Sequence, residues 1–96
     1  MQEITVADLK ARTGIPLIDV REEDEFAQGR VPGAVNIPLS QLGERLGELP
    51  PEFDVICAAG ARSARAAEAL APHGYEATNV AGGTNAWIAA GYDVER

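Results

Sequence analysis

Ninety-six residues are one domain's worth of chain, since domains typically run to about 100–150 residues, so residues 1–96 are expected to fold as one unit. Hydrophobic residues make up 46% and charged residues 24%, a globular balance that excludes the disordered and collagen-like classes. Fifteen acids against eight bases leave a net charge of -7, and Lys10 is the only lysine among scattered arginines, so neither nucleic acid nor an anionic membrane surface is an expected partner. No apolar run approaches the roughly 20 residues of a membrane span. Met1–Thr5 carries neither a basic nor a long apolar stretch, so no secretory signal is read and the cytoplasm is the expected location.

Short apolar runs alternate with amphipathic stretches. Gln2–Ile4 reads as a strand, and Thr5 with Asp8 three residues on reads as a variant capping box for a helix over Val6–Arg12, stopped by Gly14. Pro16–Val20 has the size of a buried strand. The four acids Glu22–Glu25 suit the positive end of a helix that Gly29 closes. Ala34–Ile37 is a strand between Pro32 and Pro38, and Ser40 is placed to cap a helix over Gln41–Leu49 that Pro50-Pro51 ends. Asp54–Cys57 reads as a third buried strand. The alanine-rich stretch Ser63–Ala71 is a strong helix by propensity, ended by Pro72-His73-Gly74. Ala77–Val80 is a strand, Thr84 is placed to cap a helix over Asn85–Ala90, and Tyr92–Glu95 reads as a tail. Trp87 and Phe26 read as core.

Strand and helix in alternation predict an α/β fold with a mainly parallel sheet covered by helices on both faces. Such sheets bind ligands beyond the carboxyl ends of their strands. Three segments fall there: Asp19-Val20-Arg21, Cys57–Arg62 and Ala81-Gly82-Gly83.

Cys57 is the only cysteine, so an intramolecular disulfide and a cysteine-rich zinc site are excluded, and no metal or organic cofactor is expected. His73 is the only histidine; it sits at a predicted helix C-terminus, far along the chain from Cys57, and is not read as a base. The segment Cys57-Ala58-Ala59-Gly60-Ala61-Arg62-Ser63 links a strand to a strong helix. Its small residues let the backbone curl and aim successive N–H groups at one point, with the helix dipole adding to their field. A thiol there is expected to ionise below the free-cysteine value. Arg62 opposes the dipole of its own helix, so it is expected to face an anion, either a substrate or one of the chain's many acids. The blander reading makes Cys57 a buried strand-end residue and Arg62 a surface charge. Asp19 and Arg21 are candidates to support the site; the structural alternative is that Asp19 caps the next helix and Arg21 pairs with an acid such as Glu25.

Three segments in this order resemble the single-domain rhodanese (thiosulfate sulfurtransferase-like) family: Leu17–Arg21 with Glu25-Phe26 and Gly29–Pro38, then Cys57–Ser63, then Gly82–Trp87. Arg30 stands where the family commonly has histidine, and Ala58, Ala59 and Ala61 stand where many members carry basic or polar residues. The resemblance implies a five-stranded parallel sheet and a loop cysteine, Cys57, that carries sulfur as a persulfide. The backbone of Ala58, Ala59, Gly60, Ala61, Arg62 and Ser63 would cradle it. The implied partners are a small sulfur donor, thiosulfate or a persulfide, and a thiol, cyanide or protein acceptor. An alanine-rich loop whose only charge is Arg62 suits persulfide relay better than thiosulfate. Two alternatives share the fold: a phosphatase, whose loop has one residue more between cysteine and arginine than the four seen here, and a non-catalytic binding module, which often lacks the cysteine.

Overall fold

Strand and helix alternate from end to end in the computed structural model, which describes residues 1–96. The strands are β1 (Gln2–Ile4), β2 (Leu17–Asp19), β3 (Val35–Asn36), β4 (Glu52–Ile56) and β5 (Glu76–Val80). The helices are α1 (Val6–Ala11), α2 (Glu23–Gln28), α3 (Leu39–Leu42), α4 (Ala61–Leu70) and α5 (Gly83–Ala89), with single 3₁₀ turns at Leu46–Glu48 and Ala71–His73. All strands pair in parallel, in the order β1-β5-β4-β2-β3. From β2 the chain moves outward to β3, and from β4 it moves the other way to β5. The crevice between the carboxyl ends of β2 and β4 is therefore the switch point at which such sheets bind ligands.

Alternate side chains of the strands feed two cores. On one face Ile18, Val20, Phe53 and Val55 pack with Leu42 and with Ala66, Ala67 and Leu70 of α4. On the other, Leu17, Ile56 and Val80 pack with Leu9 of α1 and Trp87 of α5. The expected α/β sheet with helices on both faces is what forms. No helix is long and apolar enough to cross a membrane.

Most expected elements appear within a residue or two of their expected ends. The Thr5 capping box is present, with Asp8 N–H donating to Thr5 Oγ1 and Thr5 N–H to Asp8 Oδ2, both at 3.1 Å. The helix expected over Gln41–Leu49 is not continuous. Pro38, with its fixed φ, begins α3 earlier, and Ser40 does not cap it: its hydroxyl donates to Glu22 Oε1 at 2.7 Å. Thr84 is likewise not a cap. The cap of α5 is Gly82, in the left-handed region, and Thr84 lies buried in the first turn. Phe26 is only half-buried and belongs to neither core; the Arg30 guanidinium covers its ring at 4.8 Å. The tail is tied back by a bridge between Arg30 and Glu95.

In the middle of β4, Asp54 is 1% exposed and accepts from Arg12 Nε at 2.9 Å and Nη2 at 3.0 Å, while Arg12 keeps 34% of its side chain in contact with solvent. Removing one partner of a buried pair strands the other charge, at a cost of roughly 3–5 kcal/mol. Arg12→Ala is expected to lose about 3 kcal/mol of unfolding free energy, the low end because Arg12 is partly solvated. Urea denaturation checks this, and a loss below about 1 kcal/mol would mean that Asp54 finds other solvation.

Candidate functional site

The loop after β4 lies at the switch point, and its course is dictated by α5. Thr84 N–H donates to the Cys57 carbonyl at 2.9 Å and Asn85 N–H to the Ala58 carbonyl at 2.9 Å; the Thr84 hydroxyl also donates to the Cys57 carbonyl, at 3.1 Å. With those carbonyls turned toward α5, the N–H groups of the same two peptides, Ala58 and Ala59, face the other way. None of the N–H groups from Ala58 to Ser63 donates to a backbone carbonyl. The Gly60 N–H points at Cys57 Sγ, 3.1 Å away.

Two glycines make this packing feasible. Gly60 caps α4 with φ +102, and a Cβ there would come within 3.2 Å of the Gly82 nitrogen. Gly83 has φ +58, and a Cβ there would lie 2.5 Å from the Cys57 carbonyl oxygen and 2.6 Å from that of Ala58. Only glycine lets α5 approach so closely.

Cys57 is 1% exposed. Burial pushes its thiol up, but the polar groups gathered at the sulfur outweigh that and hold it below its ordinary value: the Ser63 hydroxyl lies 3.2 Å away, and the N–H groups of Ser63, Gly60 and Ala59 face it. The expected direction of the shift is therefore present, and a side chain that the spacing did not single out, Ser63, lies against the sulfur. Ser63 in turn lies 2.6 Å from Asn79 Oδ1.

Arg62 faces an anion, and that anion is Glu25 of α2. The pair is bidentate, Nη1 to Oε1 at 2.7 Å and Nη2 to Oε2 at 2.9 Å, with each side chain 34% exposed. The Arg62 contact holds the Glu25 carboxyl down at about 2 against an ordinary 4.5, while Glu25 raises the Arg62 guanidinium further. Glu25 also accepts from the Glu22 N–H at 3.1 Å. A cavity of about 270 Å³ opens beside the loop, lined among others by Arg21, Glu25, Ala58 and Asn85. A larger one, about 410 Å³, lies near Leu9, Pro16 and Trp87, at the amino end of β2 and away from the cysteine loop.

Asp19 and Arg21 are both buried and bind each other: Arg21 Nη2 reaches Asp19 Oδ2 at 2.8 Å and Nε lies 3.0 Å from the same oxygen. Arg21 then donates to the Glu25 carbonyl at 3.1 Å and the Gly29 carbonyl at 2.8 Å. Asp19 does not cap α2, and Arg21 meets the backbone of Glu25, not its carboxylate. The pair thus holds α2, and through Glu25 it holds Arg62. His73 is exposed at the opposite end of α4 from Cys57.

Two outcomes are expected. Gly83→Ala must displace the Cys57 and Ala58 peptides, so it should slow alkylation of Cys57 and lower thermal stability. Gly14→Ala, also at positive φ (+79) but with open space around it, should lower stability alone. Equal alkylation rates in both variants would show that α5 does not shape the loop. For Glu25, whose folded value is depressed, the stabilisation is complete above its ordinary value near 4.5 and fades as pH falls toward 2. Acid unfolding followed by circular dichroism should therefore be shallower over that window in Glu25→Gln than in the parent.

Residues 5–90 match the family described as the Rhodanese-like domain. A sulfurtransferase of Allochromatium vinosum is 37% identical over 81 residues, covering 81% of this chain and 76% of the relative. The thiosulfate sulfurtransferase PspE of Escherichia coli is 40% identical over 70 residues, covering 69% and 67%. The crystal structure of a rhodanese-related protein from Thermoplasma volcanium superposes with a TM-score of 0.94 at 38% identity, covering 99% of this chain and 98% of the other. With its parallel sheet and the cysteine loop at the switch point, the chain belongs to the rhodanese-like family.

Proposed function

We propose that the protein is a sulfurtransferase that carries sulfane sulfur on Cys57. The observation that carries this reading is the Gly60 N–H on Sγ within a loop whose N–H groups, Ala58 to Ser63, serve no backbone carbonyl. That arrangement favours negative charge on the sulfur and on whatever is bound above it.

The Cys57 thiolate attacks the outer sulfur of the donor. A new S–S bond forms, the donor's own S–S bond breaks, and its electron pair leaves on sulfite, if the donor is thiosulfate, or on a thiolate, if it is a persulfide. The outer sulfur of the Cys57 persulfide is then attacked by cyanide or a thiol, and the Cys57 thiolate returns as leaving group. Ala58, Ala59, Gly60, Ala61 and Ser63 contribute N–H groups to the bound anion. Arg62 contributes less than a free cation, because Glu25 already neutralises it. Together with the net charge of -7, this favours a weakly charged persulfide donor over dianionic thiosulfate. The four residues between Cys57 and Arg62 favour sulfur over the larger phosphoryl group. A lone reduced thiol suits the cytoplasm.

Intact mass tests the reading. After exposure to glutathione persulfide, and more slowly to thiosulfate, the protein should gain one sulfur atom and lose it on addition of a reductant. Cys57→Ser should fold normally and gain none. A parent protein that never takes up sulfur from either donor overturns the reading.

A further inference from the structure

The hydrogen-bond chain that reaches the Cys57 sulfur does not end at Ser63. Ser63 Oγ lies 3.2 Å from Cys57 Sγ and 2.6 Å from Asn79 Oδ1. Asn79 Nδ2 lies 2.9 Å from Glu3 Oε2 and 3.3 Å from the Gly60 carbonyl oxygen. Glu3 and Asn79 are direct partners across the β1–β5 pair. Ser63 and Asn79 are fully buried, so their polar atoms depend on these contacts.

A count of protons sets the direction of each bond. The Glu3 carboxylate and the Gly60 carbonyl only accept. The Asn79 NH2 therefore faces them, and its Oδ1 faces Ser63. Oδ1 also only accepts, so at 2.6 Å the Ser63 hydroxyl proton lies between the two oxygens. A hydroxyl has one proton. Ser63 thus presents a lone pair to the sulfur, which suits a thiol donating its S–H and opposes a thiolate.

For Ser63 to turn its proton to a thiolate, Asn79 has to turn its amide over and donate to Ser63. That sets Oδ1 against the Glu3 carboxylate and the Gly60 carbonyl, two acceptors, and ionised Glu3 resists it. The Ser63 contribution to stabilising the thiolate is thus conditional on the state of Glu3.

We propose that Glu3 and Asn79 are positioning residues that withhold the Ser63 proton from Cys57, so that contact across the β1–β5 edge governs the ionisation of the reactive thiol. The other charges facing this thiol are Arg62 of α4 with its partner Glu25 of α2, and the Asp19–Arg21 pair at the end of β2; all stay unchanged in the test. The proposal rests on the reading of Cys57 as nucleophile, and alkylation reports its ionisation whether or not the thiol carries sulfur, so the two ideas fail separately.

The test is the pH dependence of iodoacetamide alkylation in four proteins: the parent, Glu3→Gln, Ser63→Ala and the double variant. Glu3 is exposed, so Glu3→Gln should retain the fold, and thermal unfolding of all four checks this. The Gln amide can donate to a turned Asn79 and release Ser63. Glu3→Gln is expected to lower the alkylation midpoint by about one pH unit. Ser63→Ala alone should leave the parent midpoint unchanged or slightly lower, and adding it to Glu3→Gln should abolish most of the further shift. A Glu3→Gln shift that is the same with and without Ser63 reflects loss of charge alone and overturns the proposal. So does the absence of any shift, or a Ser63→Ala midpoint well above the parent's.

Discussion

Two N–H groups at the start of α5 decide which way the cysteine loop faces. By holding the carbonyls of Cys57 and Ala58, Thr84 and Asn85 turn the N–H groups of Ala58 and Ala59 away from α5, and the next N–H, that of Gly60, meets the sulfur. A peptide group has one donor and one acceptor pointing in opposite directions, so fixing the carbonyl fixes the N–H. The close approach of Gly83 is part of the same constraint. The field around Cys57 is thus built from backbone, which no side-chain loss in the alanine-rich loop removes.

The carboxyl ends of the central strands are where apolar packing gives way to polar bonding. Ile18, Val55 and Ile56 fill the two cores, yet Asp19, Asn79 and Ser63 near the carboxyl ends of the strands are equally buried. Each is partnered: Asp19 by Arg21, Ser63 by Asn79, Asn79 by Glu3 and Gly60. No buried side-chain nitrogen or oxygen lacks a partner anywhere in the protein. A site made this way is expensive to disturb, because a buried group that loses its mate costs more than the bond was worth.

Local patterns made much of this legible. Short strand-like runs, some of them bounded by proline, located the strands, and the Thr5–Asp8 spacing announced α1. The alternation of strand and helix placed Cys57–Arg62 beyond a strand's carboxyl end; the strand order that makes the crevice beside it came from the structure. What resisted reading were long-range choices. Ser40 and Thr84 have the chemistry of caps, but tertiary partners claimed their hydroxyls: Glu22 for one, the Cys57 carbonyl for the other. That Arg62 wants an anion was readable from the helix dipole; that the anion is Glu25, 37 residues away, was not. Glu3 and Asn79 carried no signal at all, since only the register of β1 on β5 brings them together.

Helix α2 buries none of its residues. What fastens it is charge and hydrogen bonding: Arg21 on its carbonyls, Ser40 on Glu22, Arg62 on Glu25. The sheet, by contrast, is held by apolar contact, which salt does not screen. Local opening therefore has a weak point that global unfolding lacks. Rising ionic strength screens the partly exposed Arg62–Glu25 pair far more than the buried Asp19–Arg21 pair or the two cores. The ionic medium thus acts on the loop's own cation, Arg62, at a cost far below that of unfolding.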